Sequence, residues 1–287
     1  MIVPFNFLGL PDQLSNYATA KVAVLPIPYD LTLSYQSGAR LGPQAIIDAS
    51  RQVETYDDDF SLEPCEIGIA TLPELEQVAA GPESMQTAIY KTCQKILADN
   101  KYIMVLGGEH SITPAIVKAH AEKFEKLSVL HIDAHSDLRD SYQESRYSHA
   151  CAMSRVAEIV PFMSVGIRSF KGGENEIKYR DRIVKMSEFR NNPKIYQKIL
   201  AGLSENVYIT IDLDGFDPAV IPSVGTPEPG GLSWDEMMEL IRQISLNKKI
   251  VGADIVELSP RPGLNYADFT AAKLAYKVIA RSFFKEK

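Results

Sequence analysis

Short apolar runs, separated by longer stretches of mixed polarity, make up most of the chain. The runs are apolar at consecutive positions rather than at every second one, which is typical of strands buried on both faces of a sheet. They cover residues 22–27, 66–70, 102–106, 129–132, 163–167, 183–186, 207–211 and 250–256. We therefore predict eight buried strands.

Helical periodicity fills most of the intervals between these runs. The helical stretches are residues 82–100, 113–124, 192–203, 233–246 and, at the end of the chain, 268–284. Ser233 followed three residues later by Glu236 has the spacing of a capping box and predicts the start of one helix. The alternation of strands and helices predicts an α/β fold, in which a parallel sheet is covered by helices on both faces.

Composition and charge limit the organisation of the protein and its partners. A chain of 287 residues that is 45% hydrophobic can bury one large core, and it contains no low-complexity linker. We expect a single domain over residues 1–287. The net charge of −7 and the pI near 5.4 argue against a nucleic-acid partner, because such proteins usually carry a basic face.

The cysteines and the apolar runs also indicate the cellular compartment of the protein. Cys65, Cys93 and Cys151 are an odd number, lie far apart and predict neither a disulfide framework nor a cysteine zinc site. Residues 1–10 lack the basic region of a signal peptide, and no apolar run reaches the roughly 18 residues that a membrane span needs. We expect a cytoplasmic protein without a membrane partner.

Acidic and imidazole side chains follow four of the predicted strands. They are His110 in the sequence Gly107-Gly108-Glu109-His110, then Asp133, His135 and Asp137, then Asp212 and Asp214, and finally Glu257. In a parallel sheet these positions share one edge, where ligands bind. The two glycines also suit a tight turn with positive φ, which would bring His110 to that edge.

Four aspartates and two histidines at one edge would suffer like-charge repulsion and desolvation without a counter-charge. Six such ligands are too many for one tetrahedral zinc ion, and they lack thiolates, so they suit two ions of a harder metal such as Mn²⁺. A single Asp-x-His or Asp-x-Asp is more often a turn or helix cap. Three such groups on strand ends favour a metal site.

These motifs resemble those of the ureohydrolases, the family of arginase and agmatinase. Residues 107–110 are similar to its G-G-[DE]-H motif and residues 132–137 to its D-A-H-x-D motif. Residues 210–231 match the long third motif, with Thr210 where the family usually has serine. Further similarity at residues 26–29, 37–43 and 254–257 extends the resemblance over nearly the whole chain.

The resemblance implies a three-layer α/β/α fold around a mostly parallel eight-stranded sheet, and two Mn²⁺ ions per chain. One ion would be held by His110, Asp133, Asp137 and Asp212, and the other by Asp133, His135, Asp212 and Asp214. Asp133 and Asp212 would then bridge the ions. Family members form trimers or hexamers, so a homo-oligomer is expected.

The resemblance also assigns roles in the cleavage of a guanidino group to urea and an amine. Glu257 would orient the guanidinium group, Asp137 would accept a hydrogen bond from the attacking hydroxide, and His149 would pass a proton to the leaving amine. The alternatives are a surface salt bridge for Glu257 and a helix-cap neighbour for His149. His120 and His131 are expected to be structural, with His131 directed away from the neighbours of Asp133.

The loop at residues 138–148 bears on the substrate. Arg139 stands where arginases have an asparagine that contacts the substrate carboxylate, so arginine is disfavoured and agmatine, a small cationic guanidino compound, is the leading candidate. Asp140 and Glu144 could meet its ammonium group. N1-aminopropylagmatine, guanidinobutyrate and formiminoglutamate stay open as substrates.

Two alternative functions, from other classes of protein, also stay open. One is an inactive ureohydrolase-like partner protein, which the complete ligand set does not favour. The other is a zinc-dependent deacetylase of similar fold, which should bind one metal ion per chain rather than two.

Overall fold

A single parallel sheet organises the computed structural model, which describes residues 3–285. Its strands are β1 (Val22–Ile27), β2 (Ile69–Thr71), β3 (Tyr102–Gly107), β4 (Leu127–Ile132), β5 (Phe162–Ile167), β6 (Ile183–Lys185), β7 (Asn206–Asp212) and β8 (Lys249–Val256). The order in the sheet is β2-β1-β3-β8-β7-β4-β5-β6, and every pair of neighbouring strands is parallel. The predicted eight-stranded α/β sheet is confirmed.

Helices cover both faces of this sheet. They are α1 (Asp12–Ser15), α2 (Gly42–Ser50), α3 (Pro82–Ala98), α4 (Thr113–Lys123), α5 (Ala152–Ala157), α6 (Glu174–Lys178), α7 (Met186–Asn191), α8 (Ile195–Gly202), α9 (Trp234–Asn247) and α10 (Tyr266–Phe283). Successive residues of a strand point to opposite faces. Val22 and Val24 accordingly pack in the core with α2, α8, α9 and α10, whereas Ala23 and Leu25 pack with α3, α4 and α5. The result is three layers.

Helix α9 begins where the sequence predicts. The Ser233 hydroxyl accepts a hydrogen bond from the backbone N of Glu236 at 3.2 Å, and the Glu236 carboxylate accepts one from the backbone N of Ser233 at 2.8 Å. This reciprocal pair is the predicted capping box. Within residues 3–285, no helix has both the length and the hydrophobicity that crossing a membrane requires.

The glycine pair that follows β3 brings the chain close to its neighbour. The expected positive φ is wrong, since neither Gly107 nor Gly108 adopts one. Glycine is needed at position 108 because a Cβ atom there would collide with the carbonyl oxygen of Tyr29. The close approach lets the backbone N of Gly108 donate to Ile27 O at 2.9 Å and that of Glu109 to Tyr29 O at 2.7 Å. These two bonds fix the start of the segment that carries His110.

Candidate metal centre and substrate cavity

Four adjacent strands deliver seven of the predicted residues to one edge of the sheet. Strands β3, β8, β7 and β4 are neighbours in that order. The residues are His110 after β3, Glu257 after β8, Asp212 and Asp214 at the end of β7, and Asp133, His135 and Asp137 after β4. Because the strands are parallel, their carboxyl ends and these side chains lie together.

The first cluster surrounds the Nδ1 atom of His110. This nitrogen lies 3.2 Å from Asp133 Oδ2 and 3.3 Å from Asp137 Oδ2. Asp212 Oδ2 lies 3.4 Å from the same nitrogen. All four residues are buried, so two strands, β4 and β7, bring three carboxylates to one enclosed point beside the imidazole that follows β3.

The second cluster surrounds His135. Its Nδ1 atom lies 2.9 Å from Asp214 Oδ2 and 3.6 Å from Asp133 Oδ1. Asp133 therefore faces His110 with one oxygen and His135 with the other, as a bridging carboxylate would. Asp212 turns its second oxygen to the backbone N of Asp214, at 2.9 Å. A bridging role for Asp212 does not follow from these contacts.

A buried hydrogen-bond chain determines which nitrogen of His110 carries the proton. Thr210 donates its hydroxyl proton to Asp254 Oδ1 at 2.5 Å, and its oxygen lies 2.9 Å from His110 Nε2. Since that hydroxyl has one proton, its oxygen accepts from His110, whose Nε2 carries the hydrogen. In the neutral imidazole the lone pair of Nδ1 then faces three carboxylate oxygens.

This arrangement requires a cation. Among the residues that the structure describes, Nδ1 of His110 makes no hydrogen bond, although it is completely buried. A buried lone pair facing buried carboxylates is unfavourable unless a proton or a metal ion lies between them. Imidazole nitrogen with several carboxylate oxygens is a donor set that suits divalent manganese. The residues present thus fit the metal site predicted from the sequence.

The pKa values of the aspartates reflect their burial and their closeness to one another. Burial raises the pKa of Asp212 well above its ordinary value, and the charges of Asp214 and Asp133 raise it further. Burial and the charge of Asp133 also raise the pKa of Asp214. Burial opposes ionisation of Asp133 too, but the imidazoles of His131 and His110 outweigh it and lower its pKa well below the usual range. Two of the three carboxylates therefore resist ionisation without a counter-charge.

The expected orientation of His131 is wrong. Its Nε2 atom lies 2.8 Å from Asp133 Oδ2, and its Nδ1 atom lies 2.8 Å from Ser164 Oγ. The reason is the period of the strand, since residues two positions apart point to the same side of a sheet. His131 thus supports the carboxylate that the two clusters share.

A cavity of about 360 Å³ opens onto both clusters. Asp137, Asp212 and Asp214 line it, together with His149 and Glu257. Glu257 adopts a left-handed backbone conformation, with φ of 69°, which costs free energy for a residue other than glycine. Its Oε1 atom accepts a hydrogen bond from the backbone N of His110 at 2.8 Å. The second carboxylate oxygen is therefore available to a ligand.

His149 lines this cavity, and its imidazole lies between two hydroxyl groups. Its Nδ1 atom is 3.3 Å from Thr32 Oγ1, and its Nε2 atom is 3.1 Å from Ser34 Oγ. Burial lowers the pKa of His149 below its ordinary value, although the charge of Asp137 opposes the shift. A neutral imidazole that can take up and release a proton therefore faces the cavity.

The loop after Asp137 does not act as the sequence suggested. Glu144 is exposed, and Asp140 accepts a hydrogen bond from Arg155 at 2.8 Å. Neither lines the cavity, so the expected contact with a substrate ammonium group is wrong for both. Gln143 and Glu144 both have positive φ, so the backbone turns at this point of the loop.

The cavity is also lined by three charged residues that lie away from the metal clusters, namely Arg139, Lys171 and Glu176. The Arg139 guanidinium lies over the Tyr142 ring at 4.8 Å from its centroid. Glu176 Oε2 accepts from the backbone N of Gly173 at 2.6 Å. Carboxylate and guanidinium therefore both reach the cavity.

Sequence reasoning missed several residues that shape the site. Thr32 and Ser34 come from the segment between β1 and α2, which carries no charged motif. Glu176 comes from the short helix α6, and Thr226, whose hydroxyl lies 3.4 Å from Asp214 Oδ2, comes from a loop. The similarity at residues 26–29 and 37–43 flanks Thr32 and Ser34, and it was the one signal pointing to that segment.

Comparison with known proteins agrees with this geometry. A model of the arginase family matches residues 20–281. The N(1)-aminopropylagmatine ureohydrolase of Synechocystis sp. is 37% identical over 287 residues, which cover 96% of this chain and 93% of that protein. The agmatinase of Pyrococcus horikoshii is 35% identical over 268 residues, which cover 92% of each.

Solved structures lead to the same family. The agmatine ureohydrolase of Thermoplasma volcanium superposes with a TM-score of 0.87 at 32% identity, covering 98% of this chain and 95% of that one. Both the sequence identity and the shared length exceed what a common fold alone requires. The chain therefore belongs to the arginase family of ureohydrolases, in its agmatinase branch.

Proposed function

We propose that this protein hydrolyses agmatine to putrescine and urea, with two Mn²⁺ ions per chain. Membership of the family makes it a hydrolase of guanidino carbon–nitrogen bonds; the proposal concerns the substrate, the metal and the residue roles. One observation carries it, which is the convergence of three buried carboxylates on His110 Nδ1 beside a cavity that Glu257 lines.

The proposed metal ligands are those that the family pattern implies, namely His110, Asp133, His135, Asp137, Asp212 and Asp214. A bound pair of divalent ions would lower the pKa of a water towards neutral and so would supply hydroxide at ordinary pH. Manganese suits the mixture of imidazole and carboxylate donors better than zinc does, because thiolates are lacking.

The remaining steps belong to side chains of the protein. Glu257 offers a carboxylate oxygen to the planar guanidinium group, which holds the substrate carbon towards the clusters. Asp137 accepts a hydrogen bond from the nucleophile and so fixes its direction. His149 then delivers a proton to the nitrogen of the leaving amine, which departs as the carbon–nitrogen bond breaks.

The choice of substrate is supported by the charged residues at the cavity. Glu176 offers a carboxylate to a distal ammonium group, as agmatine carries. N1-aminopropylagmatine, which carries a second amine, is the second candidate, because a relative bearing that activity in its name is 37% identical over 96% of this chain. Arg139 also reaches the cavity, so guanidinobutyrate stays in the comparison.

The test is urea release after loading with Mn²⁺. Agmatine, N1-aminopropylagmatine, guanidinobutyrate and arginine are compared by kcat/KM, with formamide release measured for formiminoglutamate. We expect the two amines to exceed the others, agmatine first. Turnover of another compound without turnover of agmatine would contradict the substrate assignment. Metal analysis giving one ion per chain would contradict the binuclear site.

We also propose a metabolic role, a cellular compartment and an oligomeric state for the enzyme. Its product, putrescine, would serve polyamine synthesis in the cytoplasm, and the three cysteines, which are free and buried, are compatible with a reducing compartment. A trimer or hexamer is proposed from the family resemblance, and light scattering coupled to size exclusion will measure it.

A further inference from the structure

Glu109 is a buried carboxylate beside the metal clusters that contributes to neither of them. It precedes His110 in the chain and is fully buried. Its Oε2 atom accepts a hydrogen bond from the backbone N of Thr32 at 2.6 Å, and its Oε1 atom accepts from Thr32 Oγ1 at 2.7 Å. Ser111 Oγ donates to Oε1 at 2.5 Å. The carboxylate is thus directed at the segment that follows β1.

Thr32 connects this carboxylate to His149. Its single hydroxyl proton is donated to Glu109, so its oxygen can only accept from other groups. The backbone N of His149 donates to that oxygen at 3.0 Å, and His149 Nδ1 lies 3.3 Å from it. One proton given and two acceptor positions used account for every hydrogen-bonding capacity of the hydroxyl.

This geometry favours one tautomer of the imidazole. Ser148 Oγ also lies 3.4 Å from Nδ1 and, as a hydroxyl oxygen, can accept its hydrogen. An oxygen that must accept favours a hydrogen on His149 Nδ1, which leaves the lone pair on Nε2. That second nitrogen lies 3.1 Å from Ser34 Oγ, and Ser34 lines the substrate cavity. The nitrogen that exchanges a proton with the cavity is then Nε2.

We propose that Glu109, acting through Thr32, is a positioning residue that holds His149 in its Nδ1–H tautomer and so prepares Nε2 for proton transfer. The inference rests on the proposed function of His149. It deepens that function by assigning a role to the acidic residue of the Gly107-Gly108-Glu109-His110 sequence.

The test replaces Thr32 by valine, which keeps the branched shape and removes the hydroxyl. In the Mn²⁺-loaded full chain, T32V should lower kcat by about tenfold or more, because proton transfer by a well-placed group contributes about 10²–10⁴-fold. Thr32 itself does not line the cavity. KM should therefore change by less than about threefold. T32S should recover most of the lost rate, and E109Q should resemble T32V.

Two readouts separate positioning from a general structural effect. In protein that already carries H149N, adding T32V should lower kcat by less than about twofold. The reason is that the effects of two substitutions are not additive when one residue acts through the other. Metal content should equal that of the wild type, and T87V, which removes an exposed hydroxyl of α3, serves as the matched control.

A third readout does not depend on turnover. The chain has five histidines, so nitrogen-15 spectra of histidine-labelled full chain, isolated without manganese, can follow His149 with H149N as the assignment control. The wild type should show the Nδ1–H tautomer, and T32V and E109Q should show a shift towards Nε2–H.

The outcomes are separable. An unchanged tautomer in both variants, full kcat in T32V, equal losses in T32V and T32S, or loss of metal would each overturn the inference. If the wild type releases no urea from any guanidino compound, the proposed function fails, and the spectra alone decide whether Glu109 controls the tautomer.

Discussion

Replacing Glu257 by glutamine changes one charge at the cavity and almost nothing else. Glu257 uses Oε1 for the backbone N of His110, at 2.8 Å, and that bond survives in glutamine. The other oxygen becomes an amide NH₂ group, which faces a guanidinium group that can only donate. The variant thus loses one hydrogen bond to a charged group, a contribution of about 1.5–3 kcal/mol.

That free energy corresponds to a fall in kcat/KM of about tenfold to 150-fold. Burial, followed by the charge of Glu109, raises the pKa of Glu257 well above its usual value, so removal of the carboxylate should not destabilise the fold. E257Q should therefore unfold at the temperature of the wild type or slightly above it.

The assay is urea release from agmatine by Mn²⁺-loaded protein, with metal content and thermal unfolding measured on the same samples. E144Q is the matched control, because Glu144 is exposed and does not line the cavity. If E257Q keeps kcat/KM within about threefold of the wild type, Glu257 does not bind the guanidinium group. If it loses metal, its effect has a different origin.

Three further predictions concern proton transfer, acid stability and metal removal. H149N should keep its metal yet lose about 10²–10⁴-fold in kcat, and a full rate would exclude the proton-transfer role. Burial lowers the pKa of His120 from 6.5 to about 4, so the unfolded chain takes up a proton between these values that the folded chain refuses, and stability falls as pH falls. H120F should therefore reduce the loss of unfolding free energy between pH 7 and pH 5 by about 2 kcal/mol in denaturant titrations, and an unchanged loss would contradict this. Removal of metal by a chelator should lower the unfolding temperature of the wild type more than that of D133N, because a bound ligand stabilises the folded state; equal shifts in calorimetry would argue against a site at Asp133.

The strands could be predicted from the sequence because their apolar runs are continuous, which only a sheet buried on both faces demands. The error in the strand bounds was largest at the edge of the sheet, where a strand was predicted at residues 66–70 and β2 is Ile69–Thr71. A 3-10 helix, Pro64–Ile67, takes the first two of these residues, and Gly68 follows it with φ of 81°. Helix α2 was missed because its apolar face is short and is recognised only by packing against α10.

The positions of the proposed metal ligands could be predicted because each ends or follows a strand, and parallel strands end at one edge. The two hydroxyl groups beside His149 could not be predicted, since Thr32 and Ser34 are uncharged and reach His149 from a distant, irregular segment. The prediction for the loop after Asp137 failed for a related reason. The charges of Asp140 and Glu144 suggested a contact with the substrate ammonium group, but backbone conformation decides where a loop side chain points.

Thr210 is where the sequence departs from the usual family pattern, and the hydrogen-bond chain explains why threonine is tolerated. The position must accept from His110 Nε2 and donate to Asp254, at 2.9 and 2.5 Å. A hydroxyl on Cβ does both, whether the residue is serine or threonine, whereas valine would do neither. Without that acceptor His110 could place its proton on Nδ1, the atom that faces Asp133, Asp137 and Asp212. The lone pair that a metal ion requires would then be lost, so the hydroxyl, and not the exact residue, is what this position must conserve in chemical terms.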